Sequence, residues 1–407
     1  MADKKIYNAV IIGGGASGLL CAVSAKLHNK NINIAIIEKN DRVGKKLLST
    51  GNGRCNLTNA GVSTDYYVGS FKNQAQKLFD RFTTDYLLNI FANLGLICFS
   101  DSEGRFYPVS KQASSVLDVL RFAYERLGID TYCSENIKSV RKANGKFTVT
   151  TQNSEFVSDK LVIACGSKAA PKLGGNSSAV DYLRNFGHKI NVFSPALCPV
   201  IVKSDLLKSL KGLRATGKVT LYDKNNNSVK SESGEIQFTD SSLSGICIFN
   251  LSLYTKPNYK ICIDLLPNYS DNELYELVNK HISLFSSFLC DSLFTGIFQK
   301  RLAIAVLKMS GISDFNRKCS ELSKNEIREI CDTVKNMSFC IEGKGDFSNA
   351  QSSIGGVIGR EINESTMESK IVKNLFICGE AVDLCGECGG YNLHFAFSSG
   401  YVAGENL

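Results

Sequence analysis

The tightest constraint on this chain lies in its first forty residues. Ala9–Ile12 is an unbroken apolar run, as a strand buried on both faces should be. Gly13-Gly14-Gly15-Ala16-Ser17-Gly18 follows, and Leu19–Leu27 continues as a helix of small and apolar residues. A second run, Ile32–Ile37, apolar but for Asn33, reads as the next strand and ends on Glu38-Lys39, with Glu38 20 residues after Gly18. Gly-x-Gly-x-x-Gly alone is a weak signal. Set between strand and helix, with an acid at the end of the next strand, it is a dinucleotide fingerprint. Gly13 permits the tight turn. Gly15 lets the backbone approach a pyrophosphate, and Gly18 lets the helix lie close to the strands. The helix N-terminus at Ala16 and Ser17 offers N–H groups and a positive dipole end to the phosphates. Glu38 suits two ribose hydroxyls and repels a 2′-phosphate.

The other end of the chain decides which dinucleotide. Asn374–Cys378 reads as a strand that ends on Gly379-Glu380, and Gly389-Gly390-Tyr391-Asn392 opens a helix through Ala403. FAD is long, so its ribitol and flavin need a second segment far from the first. An acid at a strand end suits ribitol hydroxyls. A helix N-terminus suits the flavin edge where negative charge gathers on reduction. FAD is therefore the expected cofactor. A second strand–Gly-x-Gly-x-x-Gly–helix is absent, so NADH or NADPH is expected only as a transient donor. The remaining cofactor contacts are expected from Lys39, Lys45, Lys46, the Gly51-Asn52-Gly53-Arg54-Cys55 run, Ile137, and Ala164-Cys165-Gly166.

At 407 residues the chain is long enough for two or three domains of roughly 150 residues. Residues 74–98 and 112–128 read as helices, Thr131–Thr150 as a hairpin turning at Asn144-Gly145, and Leu161–Ala164 as a buried strand. After Pro195 the texture shifts to short strands and turns, then to helices over 271–334. Glycine-rich, strand-like sequence returns near Ser338. This order describes a discontinuous α/β domain interrupted by an insertion.

No apolar run is long enough to cross a bilayer, and no leader is evident, so a cytoplasmic location is expected. The 15 cysteines, among them Cys98, Cys247, Cys262 and Cys378, sit mostly in apolar runs and read as buried thiols. The net charge of +8 is scattered, with no basic block. The expected partner is a small-molecule substrate rather than a nucleic acid or a membrane; oligomeric state is not legible.

Several stretches resemble the BaiN-like (YhiN-like, aminoacetone-oxidase-type) FAD-binding flavoproteins. They include Gly44–Asn59, Glu103-Gly104-Arg105-Phe106-Tyr107-Pro108, Gly187-His188, Pro195-Ala196-Leu197, Thr366–Lys370 and Gly389–Gly404. The resemblance implies a Rossmann-type FAD-binding domain of the two-dinucleotide-binding superfamily, with an inserted β-barrel-like module and a helical cap. The corresponding boundaries are 1–195 and 335–407 for the FAD-binding domain, 196–267 for the β-rich module and 268–334 for the cap. It further implies an oxidoreductase; one branch of the family reduces carbon–carbon double bonds of 3-oxo bile-acid intermediates. Three segments depart from the family pattern. A Phe-Thr-His-x-Gly-x-Ser-Gly-Pro run is here Phe238–Ile246, without the His and the Pro. Asp-Gly-Asp-Thr-Gly-Gly is here Cys385–Gly390. Asn-Leu-Gln-Trp is here Asn392-Leu393-His394-Phe395.

The flavin carries the hydride chemistry, so the chain must position and protonate. Tyr391 and His394, on the first turn of the last helix, are the expected proton donors. Cys385-x-x-Cys388 reads as incidental rather than redox-active, and no metal site is expected because two further ligands with matched spacing are missing. The leading reading is NAD(P)H-linked reduction of an activated C=C, of the enone or 3-oxo steroid type. The alternatives are a flavin-dependent amine oxidase and a flavin-bound RNA-interacting or redox-sensor protein.

Overall fold

In the computed structural model, which describes residues 3–407, the first apolar run forms β1 (Asp3–Ile12) and the small-residue segment forms α1 (Ala16–His28). The second run forms β2 (Ile34–Ile37), whose four residues are all buried. β1 lies between β2 and Ser154–Ile163, parallel to both, and the sheet continues through Asp130–Tyr132 beyond β2. Leu375–Ile377 adds to the far edge of Ser154–Ile163, also in parallel. The expected hairpin, Ile137–Ala143 with Lys146–Thr151, pairs antiparallel lower on that same edge. Its Asn144 and Gly145 take φ of 50° and 79°, as a two-residue primed turn requires.

Register sets the site. Ile12 is level with Ile37 and with Ile163, and Ile163 is level with Ile377. Gly13, Glu38, Ala164 and Cys378 therefore leave the sheet together at its carboxyl edge, the place where open α/β sheets bind ligands. Segments 25 to 365 residues apart in sequence thus converge at one edge of the sheet.

The helix expected over 74–98 is two helices, Lys72–Arg81 and Thr84–Leu94. Phe82 ends the first and Thr83 caps the second, its Oγ1 accepting from Tyr86 N at 3.2 Å. The expected helix over 112–128 is Ala113–Arg126. The C-terminal helix, Tyr391–Glu405, is buried along most of its length and packs on α1. Glycine makes the approach possible: a Cβ on Gly400 would stand 2.2 Å from Ser17 O, and one on Gly404 2.3 Å from Cys21 O.

The chain divides into two units, one of residues up to Ala196 with Phe347–Leu407, the other Leu197–Asp346. The second unit is a closed six-strand barrel with helices. Around the barrel run Val200–Lys203, Ser242–Ser244, Ser228–Phe238, Arg214–Tyr222, Lys260–Asp264 and Met337–Lys344. Alternation sends Ile261, Ile263, Met337, Phe339 and Ile341 inward. Leu274, Val278, Val306, Ile327 and Ile330 of the helices join the same core.

Two boundaries differ from the sequence reading. The insertion ends near 346 rather than 334, because Met337–Lys344 closes the barrel between Val200–Lys203 and Lys260–Asp264. The helices of 268–334 are not a separate domain, because they and the barrel bury one continuous core. Among the described residues, no helix is long and apolar enough to cross a membrane.

Candidate active site

The glycine turn has the shape of a phosphate cradle. Gly13 takes φ 106°, and a Cβ there would stand 2.4 Å from Ala164 O; one on Gly18 would stand 1.9 Å from Gly13 O. A Cβ on Gly15 would meet nothing within 4 Å, so open space lies before α1, whose N-terminus no side chain caps. The donor set and the space both fit a pyrophosphate. Ala164 and Gly18 serve this turn by packing.

Glu38 is buried and held from both sides. Its Oε2 accepts from Gly14 N at 2.9 Å, and its Oε1 from Asn40 N and Nδ2 at 2.8 and 2.7 Å. A carboxylate oxygen has two lone pairs, so acceptor capacity remains for ribose. Burial pushes the Lys39 ammonium down, and Glu38 partly offsets this. Ile137 opens its strand half-buried, paired with Thr151.

Glu380 is the second acid. Its Oε2 accepts from Lys46 Nζ at 2.6 Å and Ser167 Oγ at 3.0 Å, and its Oε1 from Ser352 Oγ at 3.0 Å. Gly166, at φ 72°, leaves 3.7 Å between an added Cβ and Glu380 Oε2; Gly379, at φ 65°, lies against Ser17 Oγ. Lys45, its neighbour on the short helix α2 (Lys45–Ser49), turns instead to Asp41 at 2.6 Å. Cys165 is half-buried, and burial pushes its thiol up to about 12.

Two expected site residues, His394 and Cys55, are corrected. His394 is fully buried: its Nδ1 accepts from Thr58 Oγ1 at 2.8 Å, and its Nε2 donates to Phe82 O at 3.0 Å. A carbonyl can only accept, which fixes the tautomer. Burial pushes the ring down to about 4, so His394 is a neutral clamp that ties the last helix to the strand Thr58–Asn59 and to the end of Lys72–Arg81, and it holds no proton for a substrate. The Cys55 side chain is sealed in the core, its thiol pushed up to about 12 by burial, and its N–H is given to Thr50 O at 3.0 Å. Asn392 exchanges bonds with Gly386, donating to its O at 2.7 Å and accepting from its N at 2.9 Å, so it fixes the 386–392 loop.

Gly389 and Gly390 take φ of 134° and 99°, and the C-terminal helix that follows has no side-chain cap. The Tyr391 ring stacks on Tyr66 at 4.5 Å and 11° and meets Tyr67 edge-on. Asn56 Oδ1 is buried without a hydrogen-bond partner, 2.8 Å from where a Cβ on Gly390 would stand. An unpaired acceptor beside an uncapped helix N-terminus fits a polar ring edge such as that of a flavin. Gly51, Asn52, Gly53 and Arg54 form an exposed turn nearby in sequence. Cys385 is buried, its Sγ 3.5 Å from Ser352 Oγ. Among the described residues, no cluster of three or more metal-ligating side chains occurs. Asn40, Asn56, Tyr66, Ser167 and Ser352 were not singled out from sequence. Ser167, next to Gly166 at the end of a strand, is the one with a readable signal.

Cradle, two acids and glycine-opened helix define a Rossmann-type FAD-binding flavoprotein. The profile described as HI0933-like protein Rossmann domain matches residues 7–406, and the chain belongs to that family. It is thus an FAD-dependent oxidoreductase. It is 33% identical over 402 residues to the 3-dehydro-bile acid delta(4,6)-reductase of Clostridium scindens, covering 97% of each chain. It is 25% identical over 401 residues to the ribosomal RNA dihydrouridine synthase of Escherichia coli, covering 98% of each. Among solved structures, a mutant form of E. coli quinol fumarate reductase FrdA aligns with a TM-score of 0.51 at 14% identity. That alignment covers 99% of this chain and 70% of the other, and it shows the fold alone.

Proposed function

We propose that this protein reduces a carbon–carbon double bond conjugated to a carbonyl in a small planar substrate, with NADH or NADPH as donor. The observation that carries the reading is the 33% identity, over nearly the whole of both chains, to a 3-dehydro-bile acid delta(4,6)-reductase. The ribosomal RNA relatives support the same bond chemistry, since dihydrouridine is uridine with a double bond conjugated to a carbonyl saturated.

Once reduced by NADH or NADPH, bound FAD would supply hydride to the far carbon of such a conjugated system. The chain does the rest. The Gly13–Gly18 turn and α1 would hold the pyrophosphate, and Glu38 the adenosine ribose. Glu380, fixed by Lys46, Ser167 and Ser352, would hold the ribitol. The start of the C-terminal helix would face the ring edge that becomes negative. Tyr391, on its first turn, is assigned the proton that completes the addition. Hydride and proton together saturate one double bond.

The test is anaerobic turnover of the purified holoenzyme with NADH or NADPH and 3-oxochol-4-enoic acid, followed by mass spectrometry. The expected product has gained two hydrogens, and Tyr391→Phe is expected to slow its formation with FAD content unchanged. An enzyme that leaves the steroid intact yet forms dihydrouridine in ribosomal RNA would favour an RNA substrate. One that oxidises amines in oxygen would overturn the reductase reading.

A further inference from the structure

The turn after α2 holds a cation, Arg54, that no carboxylate pairs among the described residues. Gly51, Asn52, Gly53 and Cys55 all lie in the left-handed region, with φ of 56°, 54°, 80° and 58°. Asn52 and Cys55 are not glycines, and such strain persists where the surroundings over-determine it, most often at functional sites. Its effect is to hold Arg54 outward. The guanidinium lies 5.0 Å from the centre of the Tyr107 ring, and Nε is 3.4 Å from Gly51 O. Tyr107 is itself buried, fixed in the strand Arg105–Pro108 that pairs with Cys98–Ser100.

The neighbouring arginine shows what is missing. Arg105 is neutralised by Asp101 and Glu103, each at 2.8 Å. Arg54 has no carboxylate partner among the described residues, although it is exposed and rests on an aromatic plate. Two residues on, Asn56 directs its unpartnered Oδ1 toward Gly390, at the start of the C-terminal helix. One short turn therefore joins an unpaired guanidinium to the segment assigned to the flavin ring.

We infer that Arg54 binds a planar oxyanion of the substrate. The guanidinium fork matches such a group in a way a lysine does not. Two sources supply that chemistry: a carboxylate at the end of an acidic substrate, or the conjugated carbonyl oxygen, which gains charge as hydride adds. The inference rests on the enone reading above.

The experiment compares wild-type and Arg54→Gln holoenzymes with 3-oxochol-4-enoic acid and its methyl ester. Binding is read from the oxidised flavin's visible spectrum and turnover as kcat and KM. Arg54→Gln is expected to keep its FAD and to bind the acid about ten- to a hundredfold more weakly, or to lose kcat by that factor. If the carboxylate is the partner, the effect falls in KM and spares the ester. If the carbonyl is the partner, acid and ester suffer alike and kcat falls. Arg54→Lys should recover only part in either arm. Unchanged binding and turnover of both compounds would overturn the inference, as would loss of FAD from Arg54→Gln. A wild-type enzyme that binds the acid but reduces neither compound would defeat the proposed reaction, while the binding comparison still decides the role of Arg54. If wild type binds neither compound, the inference falls too.

Discussion

Glu38 joins the glycine turn to the second strand through a single carboxylate. It takes the Gly14 N–H and both Asn40 donors, and it is assigned the ribose. Each charge-assisted bond to a ligand contributes roughly 1.5–3 kcal/mol. Glu38→Gln keeps the shape and removes the charge, so apoprotein titration should show FAD bound about ten- to a hundredfold more weakly. His394 makes a different prediction. Its folded pKa of about 4 lies below the ordinary 6.5, so the unfolded chain takes up a proton first as pH falls. Its contribution to stability is therefore complete above 6.5 and is lost between 6.5 and 4. From pH 7 to pH 5 that loss is about 2 kcal/mol. Glutamine offers a donor and an acceptor in the same place, so urea unfolding of His394→Gln should lose about 2 kcal/mol less than wild type over that interval.

At the scale of elements, the contact between α1 and the C-terminal helix sets how close the two ends of the chain can come. Gly400 lies against the carbonyl of Ser17, inside the phosphate turn. Gly400→Val must push backbone, and overpacking of this kind costs about 1–3 kcal/mol. Thermal unfolding should show that loss together with reduced FAD content, since the displaced residue belongs to the cradle. Much of this level was legible in the sequence. Parallel strands buried on both faces read as continuous apolar runs, so Gly13, Glu38, Gly166 and Glu380 could be placed at strand ends before any coordinates. What failed was orientation within a turn. Lys45 and Lys46 are neighbours on one short helix, yet only Lys46 reaches Glu380. His394 follows Tyr391 by three residues, yet its ring is clamped between Thr58 and Phe82, partners that sequence spacing does not reveal.

At the scale of the whole molecule, the barrel and its helices share one core, which sequence reading split in two because Met337–Lys344 joins the barrel from far along the chain. Exchanging residues 271–334 with a relative should therefore disturb Val219, Ile261 and Phe339 as well, and give broad, weakly cooperative unfolding. Exchanging 197–346 as a block should keep a sharp transition and full FAD content, because every residue assigned to FAD lies in the other unit. Electrons held on this protein are expected to pass to a double bond conjugated to a carbonyl. The direct measurement is a single anaerobic turnover: the holoenzyme is reduced with dithionite to its endpoint, then mixed with 3-oxochol-4-enoic acid. The oxidised flavin spectrum is expected to return and one equivalent of enone absorbance to disappear. A flavin that stays reduced while the enone absorbance persists would contradict the proposed reaction.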